Sequence, residues 1–297
     1  MPELEDIHYS RDETIAAIHD YLTFLAKMYL PDESIIVPPE AGWPSIASAD
    51  KSITDQLGKT PEVIALLARL PYVRTDGENI EIAPECCFAN WQGNFQALSE
   101  GTTDADGIKL LTEGPDLFEE TPSPVFGLTG CAYGPLFVLD TELGIIHWSE
   151  CSGEIKDDLS IESVDVVDEL FDGRYQENDW RHHEASWAIT DFFEVLKEQF
   201  RQLNYIPINP YAVTNASIRY GPDKAGLIPM LREIYRNHGW PDLQHYRKDD
   251  CLEAVQRALE ERYPDHVDYR SKARNRQFSP EMARISNSDS EQLLASD

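Results

Sequence analysis

Six consecutive residues, Asp179-Trp180-Arg181-His182-His183-Glu184, with Trp187 just beyond, bring two imidazoles and two carboxylates together beside aromatic surface. Such a set can work as an acid–base pair, because imidazole exchanges protons near neutral pH and a carboxylate can orient it. It can also ligate a metal. The spacing argues against one shared ion, since adjacent side chains point in different directions on a helix or a strand, which separates His182 from His183. Asp179, His182, His183 and Glu184 match no known ligand spacing. They precede what reads as a helix, where such residues cap and pack. No metal and no cofactor is expected, and these four are catalytic candidates only if the chain is an enzyme.

Other chemistry-bearing patterns fail on spacing. Gly58-Lys59-Thr60 resembles the end of a phosphate loop, but the position that needs the first glycine is Ile53, so a turn feeding a helix is the expectation. The chain has no G-x-G-x-x-G, G-x-S-x-G, H-E-x-x-H or EF-hand pattern. His147, beside Trp148 in an apolar run, reads as a sheet histidine. The five cysteines are odd in number, include the neighbours Cys86 and Cys87, and form no C-x-x-C pair; a reducing compartment follows, with Cys131 and Cys151 as small core residues.

Charge is the dominant signal. The chain has 297 residues, with 54 Asp and Glu against 25 Lys and Arg, a formal net charge of -29. From Thr75 to Glu154 there are fifteen acids and one base, Lys109. Between 157 and 172 stand Asp157, Asp158, Glu162, Asp165, Asp168, Glu169 and Asp172 with no base. Such a surface repels nucleic-acid phosphates and anionic lipid, so neither nucleic acid nor membrane is an expected partner. A basic protein is, with those seven acids as its contact residues. The uncharged run Thr121 to Leu139 contains Pro122, Pro124 and Pro135, which argues for buried strands and turns over a membrane span. Met1 to Ser10 has no apolar leader pattern, and the expected location is cytoplasmic, or nuclear if the basic segment Arg270 to Arg276 serves import.

The elements that must position these residues follow from period and punctuation. Ser10-Arg11-Asp12-Glu13 is a capping box, followed by Ile15, Ile18, Leu22, Leu25 and Tyr29 as an apolar stripe that Pro31 ends. The Pro-rich loop 38–44 holds Trp43 toward the core, and Thr60-Pro61 opens a short helix through Leu70. Gly93 to Gly114 reads as surface loop. Pro124 to Thr129, Pro135 to Asp140 and Ile145 to Trp148 read as strands, the last two a hairpin whose turn ends in Gly144. Ile161, Val164, Val167 and Leu170 recur at threes and suggest a short helix with an acidic face. Asp191 caps a helix with Phe193, Leu196, Phe200 and Leu203 inside and Pro207 at its close; Leu227 to His238 and Asp249 to Tyr263, the latter striped by Leu252, Val255 and Leu259, are two more. From Pro264 the periodicity is lost, so 264–297 is expected to be a disordered tail beyond a single domain of 1–263.

Leu57-Gly58 with the helix Val63 to Leu70, Gly134-Pro135-Leu136-Phe137-Val138-Leu139-Asp140 with Gly144-Ile145-Ile146-His147-Trp148, then Trp187 and Phe192-Phe193, resemble the SUKH superfamily. The resemblance spans about 53–203, with 204–263 as a helical extension. Over its length the chain is also similar to uncharacterised proteins of filamentous fungi, including His238-Gly239-Trp240-Pro241-Asp242-Leu243. The resemblance implies an α+β fold with a central antiparallel hairpin flanked by helices. It also implies a non-catalytic binder, since bacterial relatives neutralise toxin domains and fungal ones act as scaffolds linking cell-wall synthesis to signalling. Two alternatives stand beside it: an enzyme of fungal metabolism with a site around His182, His183 and Glu184, and a structural subunit whose acid serves solubility.

Overall fold

Ser10 opens the first helix as its sequence predicts: its Oγ accepts the Glu13 amide at 3.4 Å, and α1 runs Arg11–Met28. The computed structural model describes residues 3–74, 79–115, 117–130, 134–158, 160–166, 181, 184–218 and 221–264. After α1 come β1 (Ile35–Ile36), α2 (Pro44–Ala47), α3 (Lys51–Leu57), α4 (Pro61–Leu67), β2 (Tyr72–Val73), β3 (Glu81–Ala83) and β4 (Cys86–Cys87). Then follow α5 (Trp91–Ser99), α6 (Ala105–Glu113), β5 (Val125–Gly127), β6 (Leu136–Asp140), β7 (Ile145–Ser149) and α7 (Gly153–Lys156). The described chain closes with β8 (Ala185–Ala188), α8 (Ile189–Arg201), β9 (Tyr205–Pro207), β10 (Val213–Asn215), α9 (Leu227–Asn237) and α10 (Lys248–Arg262). Helices with small antiparallel sheets make this an α+β fold, as expected.

The expected hairpin lies at the centre of the largest sheet among the described residues, whose order is β5-β6-β7-β8 with every pair antiparallel. Gly144 closes its turn at φ +73°, and a Cβ there would stand 2.8 Å from the Tyr9 amide nitrogen, so conformation and close approach both require glycine. Alternation then sorts the two faces. Phe126, Phe137, Leu139, Ile146, Trp148 and Trp187 enter the main core, while Val125, Val138 and Ile145 face the other side in two smaller apolar clusters. On that second side α6 presses so close that a Cβ on Gly127 would lie 1.7 Å from the Thr112 carbonyl oxygen.

Helix α8 covers the first face. Phe192 meets Phe137 with ring centroids 4.9 Å apart, and Phe193, on the adjoining side of α8, meets Tyr21 of α1 at 5.3 Å. The expectation that both helices lie on the sheet therefore holds for α8, whereas α1 packs chiefly on α8. Lys197 of α8, buried, ties the two helices by binding Asp20 and, at 2.6 Å, Glu194. The C-terminal helices join the same core: Trp240 donates to the Phe200 carbonyl at 2.9 Å, and Lys248 binds the Ala26 and Leu30 carbonyls at the end of α1. Trp43 is buried and donates to the Leu70 carbonyl, and Thr60 caps α4 through Val63, both as the sequence suggested.

Four expectations need correction. The segment 93–114 is no loop: Asn90 and Asp104 accept the amides of Gly93 and Gly107, so those glycines lie in the first turns of α5 and α6, which bury Trp91, Phe95, Leu98 and Ile108. Helix α8 starts at Ile189, placing Asp191 in its first turn, and it stops at Arg201, with Pro207 in a strand. The buried stripe of α10 is Cys251, Val255 and Leu259, at steps of four, while Leu252 is half-buried. The span 204–263 begins with the paired strands β9 and β10 before its two helices. The tail after 264 lies outside the described residues.

Candidate functional site

Of the four catalytic candidates, Asp179, His182 and His183 lie outside the described residues. Glu184 leads into strand β8, not a helix, and is half-buried, accepting the Ser149 hydroxyl at 3.1 Å. Arg181 is buried with Nη1 3.4 Å from Asp140 Oδ2. Asp140 also accepts the Glu142 and Leu143 amides at 2.8 and 3.0 Å, which fixes the hairpin turn. Burial pushes its carboxyl above the usual range, against the pull of those two amides and of Arg181.

Register sets His147 between Val138 and Ser186 on the second face of the sheet, and its Nδ1 is 2.8 Å from Ser186 Oγ. A hydroxyl bonded to an imidazole is the unit from which acyl-transfer nucleophiles are built. Here both residues are fully buried, and the bond joins β7 to β8 as a sheet histidine would. Cys151 is half-buried, and burial pushes its thiol up to about 12, which removes the thiolate at neutral pH.

The acid run gives a different picture. Residues 157–166, where described, form no helix. Val164 donates its amide to Ser186 at 2.7 Å, and Val164 and Val166 bury against Leu4 and Ile145 while Asp165 between them is exposed. The period is therefore two, an extended strip along β8, and the expected amphipathic helix is corrected for these residues. Asp157 and Glu162 are exposed, and Asp158 accepts the Ser160 amide at 2.9 Å, which holds its carboxyl below the usual range. Asp168, Glu169 and Asp172 lie outside the described residues.

This strip runs beside α8, and Ser160, Ile161, Glu162, Asp191 and Glu194 line an open groove of about 470 Å³ between them. Asp158 and Glu198 line the adjoining cleft with Ile155 and Val195. Glu194 is engaged by Lys197 and Arg201. Asp191 has no cationic partner among the described residues, and burial followed by the charge of Glu194 pushes its carboxyl up. Among the described residues no three His, Cys, Asp or Glu are grouped closely enough to hold a metal, so these carboxylates are spread along a groove.

No protein-family model, curated protein or solved structure matches this chain. No helix among the described residues is long and apolar enough to cross a membrane. The groove acids on α8 are the functional candidates that the charge count passed over. Asp191, Glu194 and Glu198 recur at steps of three and four, the spacing of one helix face, so the signal was present in the sequence.

Proposed function

We propose that the chain is a non-catalytic binding or scaffold protein that recognises a basic protein through the acidic strip 157–166 and the facing side of α8. The observation carrying this reading is the groove itself: Glu162, Asp191 and Glu194 converge around half-buried Ile161, and Asp191 is held beside another carboxylate without a cation of its own. A lysine or arginine side chain of a partner would supply that cation, and its methylene stem would cover Ile161. Resemblance of the hairpin and its closing helix to SUKH proteins, which neutralise toxins or scaffold signalling, supports the same class, while five cysteines without a C-x-x-C pair and the basic segment Arg270 to Arg276 support a cytoplasmic or nuclear setting.

The test is capture from an extract of the protein's own cells. A protein retained at low ionic strength and released at high salt is expected, because encounter between opposite charges is screened over about 10 Å at 0.1 M salt. Nothing retained at low salt, or conversion of a metabolite that His182→Ala abolishes, would replace this reading with an enzymatic one.

A further inference from the structure

On the opposite side of the chain's charge balance lies a second groove. It has a volume of about 510 Å³ and is formed where α2, α3 and α4 meet. That size is within the range of small-molecule sites, about 300–1,000 Å³. Its floor is apolar, made by Ile46, Pro61, Ile64, Ala65 and Ala68. Its polar rim is mainly cationic, with Arg11, Lys51 and Arg69 against the single acid Asp55.

Two of those cations are engaged, Arg11 with Glu62 and Lys51 with Asp55. The Lys51 pair is an exposed helical one, of the kind that is readily exchanged for another anion. The side chain of Arg69 is exposed and makes no hydrogen bond or ion pair among the described residues. What sets Arg69 apart from other exposed arginines is its place, an unengaged guanidinium at the edge of an apolar floor, with the Lys51 ammonium on the same rim. Guanidinium matches a carboxylate with two parallel hydrogen bonds, and the floor matches an alkyl or aryl body.

We infer that this groove binds a small amphipathic carboxylate, its anionic head on Arg69 with Lys51 nearby and its apolar body along Ile46, Ile64 and Ala65. The site is separate in residues from the acidic groove and does not rest on the binder reading.

The experiment is calorimetric titration of the full-length protein with decanoate, with decanol and acetate as partial mimics. One-to-one saturable binding of decanoate is expected, with decanol and acetate each weaker by about tenfold or more, because each lacks one half of the match. Arg69→Gln should weaken decanoate by about tenfold, the usual worth of a lost charge-assisted pair. Ala65→Trp should block it by filling the floor. Thermal melts of both variants check that each is folded, and because Arg69 is exposed its variant reads the site even if the tryptophan variant fails. Absence of saturable binding, or binding that Arg69→Gln leaves unchanged, overturns the inference. So does preferential binding of a synthetic peptide of residues 286–297, which carries Leu293, Leu294 and acids Asp289, Glu291 and Asp297 and would assign the groove to the chain itself.

Discussion

Lys59 and Glu113 show what a single residue can conceal. In sequence, Gly58-Lys59-Thr60 is a turn before a helix, and the structure agrees: Gly58 takes φ +64° and Thr60 caps α4. Nothing local says that Lys59 turns inward to meet Glu113 at 2.6 Å with both side chains buried, because that pairing depends on how α6 packs. Burial lowers the Lys59 ammonium and raises the Glu113 carboxyl, each partly offset by the other's charge. Lys59→Met should therefore cost about 3–5 kcal/mol in a urea titration by stranding Glu113, and adding Glu113→Leu should recover most of it. A single variant as stable as the native chain would contradict the pairing. Asp191 gives a test by pH. Its folded-state pKa is raised, so the folded chain holds the proton longer, and the resulting stability is full below the ordinary carboxylate value of 3.8 and lost as pH rises through the folded value. Asp191→Asn should flatten that part of the stability curve, and an unchanged slope would contradict the raised carboxyl that burial, and then the charge of Glu194, produce.

Elements were legible where cap and period agreed. The hairpin announced itself through apolar runs around Gly144, and α1 and α4 through Ser10 and Thr60. The helices α5 and α6 were hidden because Gly93 and Gly107, read as loop punctuation, occupy first-turn positions whose amides are satisfied by Asn90 and Asp104. In the strip 157–166, Ile161 and Val164 fit a helical step in sequence, but burial of Val164 and Val166 against Leu4 and Ile145, with the Val164 amide on Ser186 of β8, imposes a step of two. Phe137 tests the sheet-to-α8 joint directly. It is 1% exposed and packs edge-on against Trp148 and Phe192, so Phe137→Ala should cost about 3–5 kcal/mol by denaturant titration. A loss under about 1 kcal/mol would place that strand at the surface and contradict the architecture. Gly127→Ala should likewise loosen α6 from the sheet, read as a lower melting temperature, because the Thr112 carbonyl occupies the space of its Cβ.

For the whole molecule, charge was legible from composition, but its geometry was not. The acid run pointed to a surface, yet three of its seven acids fall outside the described residues, and the groove is completed by Asp191 and Glu194 from a helix read only for its buried stripe. Self-repulsion at net charge -29 should make the fold more stable as ionic strength rises, seen as a higher urea midpoint in moderate salt. The same screening should weaken the proposed partner. The most direct test is the association rate of the captured basic partner with a variant carrying Asp157→Asn, Glu162→Gln, Asp165→Asn and Asp191→Asn. Recognition through the acidic groove predicts a rate lower by about tenfold at low salt, converging on the native rate as salt rises, with the fold intact by thermal melt. An association rate equal to that of the native protein at low salt would contradict it.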